Sequence, residues 1–255
     1  MTSSLLGDST YGTLRTNPFR LAVLPWGATE AHNYHLPYGT DNIETQWIAA
    51  EAATVANARG AGALVLPIVP FGVNTGQLSI PWTINMNPST QMALLKDVLV
   101  SLERQGIGRL VVLNGHGGND FRQMIRELQM RTPLFLCTTN WWTVPGLTGD
   151  FVDPGDHAGE LETSVMMHLH PDLVLPLDEA GPGRARDWKV KAFRERWAWA
   201  PRQWTRVTDD TGVGDPAPAT RAKGAAYFDA LTTKLADFLV ELNAMDPTDL
   251  YERGI

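Results

Sequence analysis

Residues 20–60 read RLAVLPWGATEAHNYHLPYGTDNIETQWIAAEAATVANARG. The stretch opens on RLAVLPW, an apolar run with the length of a buried strand, and its end, NIETQWIAAEAATVANARG, repeats apolar positions at helical spacing before closing on Gly60. Strand, loop and helix in that order are half of a βαβ unit. The alternation continues outward. ALVLPIVPF (63–71), RLVVLNG (109–115) and LFLCTTN (134–140) are further strand-like runs. NPSTQMALLKDVLVSLERQG (87–106) opens on Asn87-Pro88, where proline lacks only an N–H that would be unpaired anyway, and closes on Gly106. Further helices are expected over DFRQMIRELQMR, GELETSVMMHLH and TRAKGAAYFDALTTKLADFLVELNAM. The expected fold class is therefore α/β: a single domain over 1–255, three layers, and a mostly parallel sheet covered on both faces. Residues 178–218 are the least regular and read as an insertion on that same domain.

Charge and composition limit the function. Lys+Arg 21 against Asp+Glu 28 give a net charge of −7, which disfavours general attraction to nucleic acid or anionic membrane. The segment RARDWKVKAFRERWAWAPRQWTR (184–206) interleaves basic residues with tryptophans as a nucleic-acid groove does, yet the acidic whole argues for a subunit contact or a lid. The expected partner is a small molecule, with no nucleic acid and no membrane. One cysteine, Cys137, cannot form an internal disulfide and sits in an apolar strand as a core residue. No basic segment followed by an apolar core opens the chain, and no run of about 18 apolar residues occurs. A cytoplasmic protein is expected.

The reactive residues follow the strands. TEAHNYHLPYGTD (29–41) comes after the first, NGHGGN (114–119) after the third, and GDHAGELETS (155–164) after the fourth and a long loop. Loops leaving the carboxyl ends of strands in an open α/β sheet meet in one crevice, so the three segments converge on one site. Glu30, His32, Asp41, His116, Glu160 and Glu162 offer imidazole and carboxylate without thiolate, a set suited to Zn²⁺, Mn²⁺ or Fe²⁺. Carboxylates at both ends of a short loop with histidines between suit two ions about 3.5–4 Å apart, with Asp41 as the bridge. An isolated E-x-H pair is more often a solvated loop, and GHGGN alone is explained by a tight strand-to-helix turn. Three such segments, each after a strand, favour a metal site.

WGATEAHNYHLPYGTD, NGHGGN, HAGELETSVMM and GVGDPAPATRAKG resemble, in order, successive motifs of the creatininase (creatinine amidohydrolase) family over nearly the whole chain. The resemblance implies a Rossmann-like layered α/β domain, a binuclear metal site, hydrolysis of C–N bonds in cyclic or linear amides, and a homo-oligomer, often a hexamer. It implies that Glu30 and His116 hold one metal and His32 the other, with Asp41 bridging. Creatininase carries a ligating glutamate where Gly118 stands, so Glu160 is expected to fill that vacancy. His157 matches the family's catalytic histidine, and Glu162 an acid that orients His157 or a metal-bound water. Creatininase also has a tyrosine at Gly117, and where members read close to H..FPGT this chain reads QLSIPWT, with Gln77 for histidine and Trp82 for glycine. Creatinine is therefore a doubtful substrate.

The expected function is a metal-dependent amidohydrolase with two divalent ions, zinc or manganese first and iron as an option. A metal-bridging hydroxide attacks the amide carbon while His157 donates a proton to the departing nitrogen. Alternatives are hydrolysis at another carbonyl, in a keto-cyclitol or sugar ring or a peptide bond, and a non-catalytic metal or ligand-binding protein. His35 reads as a hydrogen-bond donor behind a ligand or as structural. Trp141 and Trp142 either cover the site or pack in the core.

Overall fold

The computed structural model describes residues 3–16, 19–247 and 249–252. Among these, β1 (Leu21–Trp26), β2 (Ala63–Val65), β3 (Arg109–Asn114) and β4 (Phe135–Asn140) form one parallel sheet of order β2-β1-β3-β4. Leu21 pairs with Ala63 on one side and Arg109 on the other, and β3 runs beside β4 from Arg109 against Phe135 to Asn114 against Asn140. The run 63–71 is shorter as a strand than expected. Pro67 and Pro70 lack the N–H a ladder needs, so β2 stops at Val65. Bonds from Leu66 N to Val23 O and Val69 N to Pro25 O still hold the continuation beside β1.

The helices are α1 (Tyr11–Leu14), α2 (Thr40–Asn57), α3 (Pro88–Arg104), α4 (Arg122–Gln129), α5 (Glu160–Leu169), α6 (Lys191–Arg194), α7 (Trp204–Val207) and α8 (Arg221–Ala244). Side chains alternate across β1, which sorts the core into two. Leu21 and Val23 pack with α2, α5 and α8, through residues such as Ile48, Val165 and Leu231. Ala22, Leu24 and Trp26 pack with α3 and α4, through Leu95, Leu99, Met124 and Leu128. Two helical layers therefore sandwich the sheet, as parallel strands buried on both faces require. Along α8, Leu231, Leu235, Leu239 and Leu242 recur at helical spacing and are all buried. Each contributes about 1.5–3 kcal/mol relative to an exposed side chain.

Helix ends agree with the sequence signals. Pro88 begins α3, and Gly60 and Gly106 take φ of 85° and 73° just past α2 and α3. Residues 178–218 contain the end of a 3₁₀ turn (Leu177–Glu179) and the short α6 and α7, and Trp204 N of α7 donates to Gly76 O. Trp141 is buried at 1 % exposure beside Tyr227, so it belongs to the core. Burial pushes the Cys137 thiol up to about 12. Among the described residues no helix is long and apolar enough to cross a membrane.

Candidate metal centre

The chain connects β1 to β2 on one side of the sheet and β3 to β4 on the other, so the crevice between the carboxyl ends of β1 and β3 is the switch point where α/β sheets bind ligands. The loop after β1 carries Glu30, His32 and His35 there and ends in the first turn of α2, which places Asp41 at a helix N-terminus that favours negative charge. The turn after β3 delivers His116. The loop before α5 delivers His157, whose backbone is pinned by an exchange with Val213: His157 N donates to Val213 O and Val213 N to His157 O.

Asp41 stands between two sets of groups. Its Oδ1 is 2.9 Å from His32 Nε2 and its Oδ2 is 3.0 Å from His116 Nδ1. Glu30 Oε1 lies 2.8 Å from His116 Nδ1 and 3.8 Å from His157 Nδ1. The His32 and His157 rings are 4.1 Å apart. Three overlapping trios each bring their ligand atoms within 4.8 Å of one another: Glu30, Asp41 and His116; His32, Asp41 and Glu162; Glu30, His32 and His157.

Backbone carbonyls set the histidine tautomers. His32 Nδ1 faces Glu30 O at 3.1 Å, His116 Nε2 faces Val73 O at 3.1 Å, and His157 Nε2 faces Ala31 O at 2.8 Å. A carbonyl only accepts, so each of these nitrogens carries the proton and the other nitrogen of each ring is turned to the centre. Metal-ligating histidines are held in this way. Asp41 Oδ2 is buried and has no hydrogen bond of good geometry, although His116 Nδ1 lies 3.0 Å away. The donor set, buried carboxylates and imidazoles without sulfur, fits Zn²⁺ or Mn²⁺.

Electrostatics show the cost of this cluster without cations. Burial alone would lower the pKa of His32, but the charge and hydrogen bond of Asp41, aided by Glu162 and Glu30, outweigh it and hold His32 at about 9. His116 is raised well above its ordinary value against burial by Glu30 and Asp41. Against burial, Asp41 is held low by His32 and His116, and Glu30 by His116 and His157. Glu162 is pushed up by burial. His35 is driven down to about 4 by burial and the nearby His32 charge, and its Nε2 meets Thr163 Oγ1 at 2.9 Å, tying the first loop to α5.

The structure brings Glu30, His32, Asp41, His116, His157 and Glu162 together. It does not bring Glu160. Expected at the second metal, Glu160 instead accepts from Val152 N at 2.8 Å and Asp153 N at 3.1 Å and pairs with Lys223 Nζ on α8. Two residues along a helix are about 200° apart around its axis, so Glu160 and Glu162 point to opposite sides of α5 and only Glu162 faces His32 and Asp41. Nor can a longer side chain stand at Gly118, where a Cβ would overlap Val73 O and the His116 ring.

Other residues at the centre carried little or no local signal. Gln77, noted in the sequence only as a substituted position, donates from Nε2 to Glu30 Oε2. Trp204 of α7 packs its ring 4.9 Å from that of His157, and Arg202, paired with Asp156, has its guanidinium 5.7 Å from the indole centroid. Glu44, one turn after Asp41 on α2, is fully buried with neither oxygen bonded, and burial together with Glu162 and Asp41 raises its pKa. Its i, i+3 spacing from Asp41 was the one available clue.

The chain is similar to proteins of one family. The sequence model of the creatininase (creatinine amidohydrolase) family matches residues 9–239. The mycofactocin precursor peptide peptidase of Mycolicibacterium smegmatis is 31% identical over 251 residues, covering 91% of this chain and 89% of its own. The creatinine amidohydrolase of Pseudomonas putida is 29% identical over 174 residues, 60% of this chain and 65% of its own. Among solved structures, a Bacteroides fragilis protein described as a creatinine amidohydrolase superposes with a TM-score of 0.91 at 43% identity, over 99% of this chain and 100% of that one. A manganese form of creatininase gives 0.75 at 24% identity over 94% and 99% of the two chains, a likeness of fold.

Proposed function

We propose that this chain, which belongs to the creatininase family and is a hydrolase of that family, cleaves a C–N bond of a small cyclic or linear amide with the help of two divalent ions. The observation that carries the reading is Asp41, whose two oxygens face different histidines, each with its own carboxylate nearby. Glu30, His116 and Asp41 would hold one ion; His32, Glu162 and Asp41 the other. Zinc or manganese suits this set. When bound, such ions lower the pKa of a water and polarise the scissile carbonyl.

The side chains supply the rest. His157 gives its Nε2–H to Ala31 O, which leaves the Nδ1 lone pair facing the cluster, where it would take a proton from the attacking water and pass it to the departing nitrogen. Trp204 packs against that ring at a tilt, centroids 4.9 Å apart, which restricts its rotation. Two relatives are named for breaking C–N bonds, one in creatinine and one in a peptide, which favours amides over ring opening at carbon.

Elemental analysis of protein purified without chelators tests the reading. Wild type and Glu160→Gln are expected to hold about two ions per chain and Glu162→Gln about one. A wild type that takes up neither Zn²⁺ nor Mn²⁺ overturns it, and loss of an ion from Glu160→Gln alone returns the second site to Glu160.

A further inference from the structure

Gln77 is 2 % exposed, and it reaches the centre from the loop after β2, a segment that contributes none of the proposed ligands. Its backbone is fixed on both sides: Gln77 N donates to Asn74 O at 3.0 Å and Ile80 N to Gln77 O at 2.8 Å. Gly76 O accepts from Trp204 N at 3.1 Å, which fastens this loop to the residue whose indole packs against His157. The side-chain amide has only one workable orientation. Nε2 is the atom on Glu30 Oε2, as a carboxylate that accepts and never donates requires. Gln77 Oε1 is then left buried without a partner.

A buried acceptor without a donor costs about 1–3 kcal/mol, and such groups persist where something else satisfies them. The surroundings say what that is. Glu30 offers one oxygen to Gln77 Nε2 and the other to His116 and, at 3.8 Å, to His157 Nδ1, so the amide and the proton-bearing histidine flank one carboxylate. Gln77 and His157 thus approach the same side chain, Glu30, at its two different oxygens. Resting on the hydrolase reading above, we propose that Gln77 is a positioning residue that aligns Glu30 for its ion and, through Oε1, a specificity determinant that accepts a hydrogen bond from an N–H on the scissile amide. The substrate preference is then for amides carrying an N–H at the cleaved bond, as in lactams and peptide bonds between primary amino acids, over N,N-disubstituted amides. An amide side chain does not titrate, so this preference is the same at every working pH.

Two measurements test the two halves. Zn²⁺ affinity, read by chelator competition, is expected to fall about 10–100-fold in Gln77→Met, as for other groups that orient a metal ligand, and to recover in Gln77→His, whose imidazole N–H can still reach Glu30. Binding of acetohydroxamate and N-methylacetohydroxamate to the zinc-loaded protein, read by calorimetry, compares a chelating probe with and without the N–H. Wild type is expected to favour the N–H probe by roughly two- to tenfold, the worth of one hydrogen bond, and Gln77→Met to lose that preference. Equal zinc affinity in wild type and Gln77→Met overturns the positioning role. An unchanged probe preference in Gln77→Met, or none in wild type, overturns the specificity role. A wild type that binds no metal removes both together with the hydrolase reading, whereas a metal-loaded wild type with indifferent variants removes the Gln77 assignment alone. Thermal melts of both variants within a few degrees of wild type exclude misfolding as the cause.

Discussion

Asp41 Oδ2 lies 3.0 Å from His116 Nδ1 without a hydrogen bond of good geometry, while the other oxygen of the same carboxylate lies 2.9 Å from His32 Nε2. One side chain thus addresses two imidazoles whose outward nitrogens are committed to backbone carbonyls. Asp41→Asn replaces one oxygen with a donor and removes the shared negative charge. The expected result is loss of both ions, with affinity falling by more than the ~10–100-fold that a lost outer partner costs. Elemental analysis after dialysis reads it; retention of about two ions would refute the bridging role.

Metal uptake should release protons. His32 holds its proton up to about 9 in the metal-free protein and His116 is raised as well, so each ion displaces a proton at neutral pH. Affinity therefore rises from pH 6 to pH 9. Acidification of a weakly buffered solution during zinc titration is the check, and pH-independent affinity would contradict it.

The same histidine stabilises the chelated protein in a defined window. Its folded value of about 9 exceeds the ordinary 6.5, so its contribution is complete below about pH 6.5 and disappears as pH climbs to about 9. Melting temperature of the apoprotein should fall across that interval, and a His32→Gln variant should fall less steeply.

Glu44 works in the opposite sense from Glu30 and Asp41. Its folded pKa is raised, so the folded state binds a proton that the unfolded state releases, and the stability this proton supplies declines as pH rises above about 4.5. Glu44→Gln retains the shape without the ionisable proton. In chelated protein at pH 8 the variant should melt higher than wild type, with a shallower pH dependence; a lower melt would show that Glu44 is held ionised by a partner.

Lys223 and Glu160 form a structural pair, with the lysine a quarter exposed and the glutamate fully buried. Lys223→Met leaves Glu160 with two backbone donors only, at a cost of about 1–3 kcal/mol in urea denaturation. Metal content should not change. A loss of metal in this variant would reconnect Glu160 to the centre.

The strands, the long helices and their capping residues were legible because each is governed by neighbours within a few positions: apolar runs, 3.6-residue spacing, Pro88 at a first turn, glycines at two exits. Glu30, His32, Asp41 and His116 were legible as candidates for a related reason, since each follows a strand whose carboxyl end must open on the crevice, whereas His157 was singled out through the family resemblance. The choice between Glu160 and Glu162 was not. It depends on which side of α5 faces the first loop and on a lysine 63 residues away that claims the other carboxylate. Gln77 and Trp204 were equally hidden, for they reach Glu30 and His157 from loops 47 residues away in the first case and more than 40 in the second. Local sequence determines elements and the order in which reactive groups leave them, whereas the partner of each buried polar atom is settled only when distant segments pack, because desolvation leaves every such atom requiring whichever group the tertiary fold brings within reach.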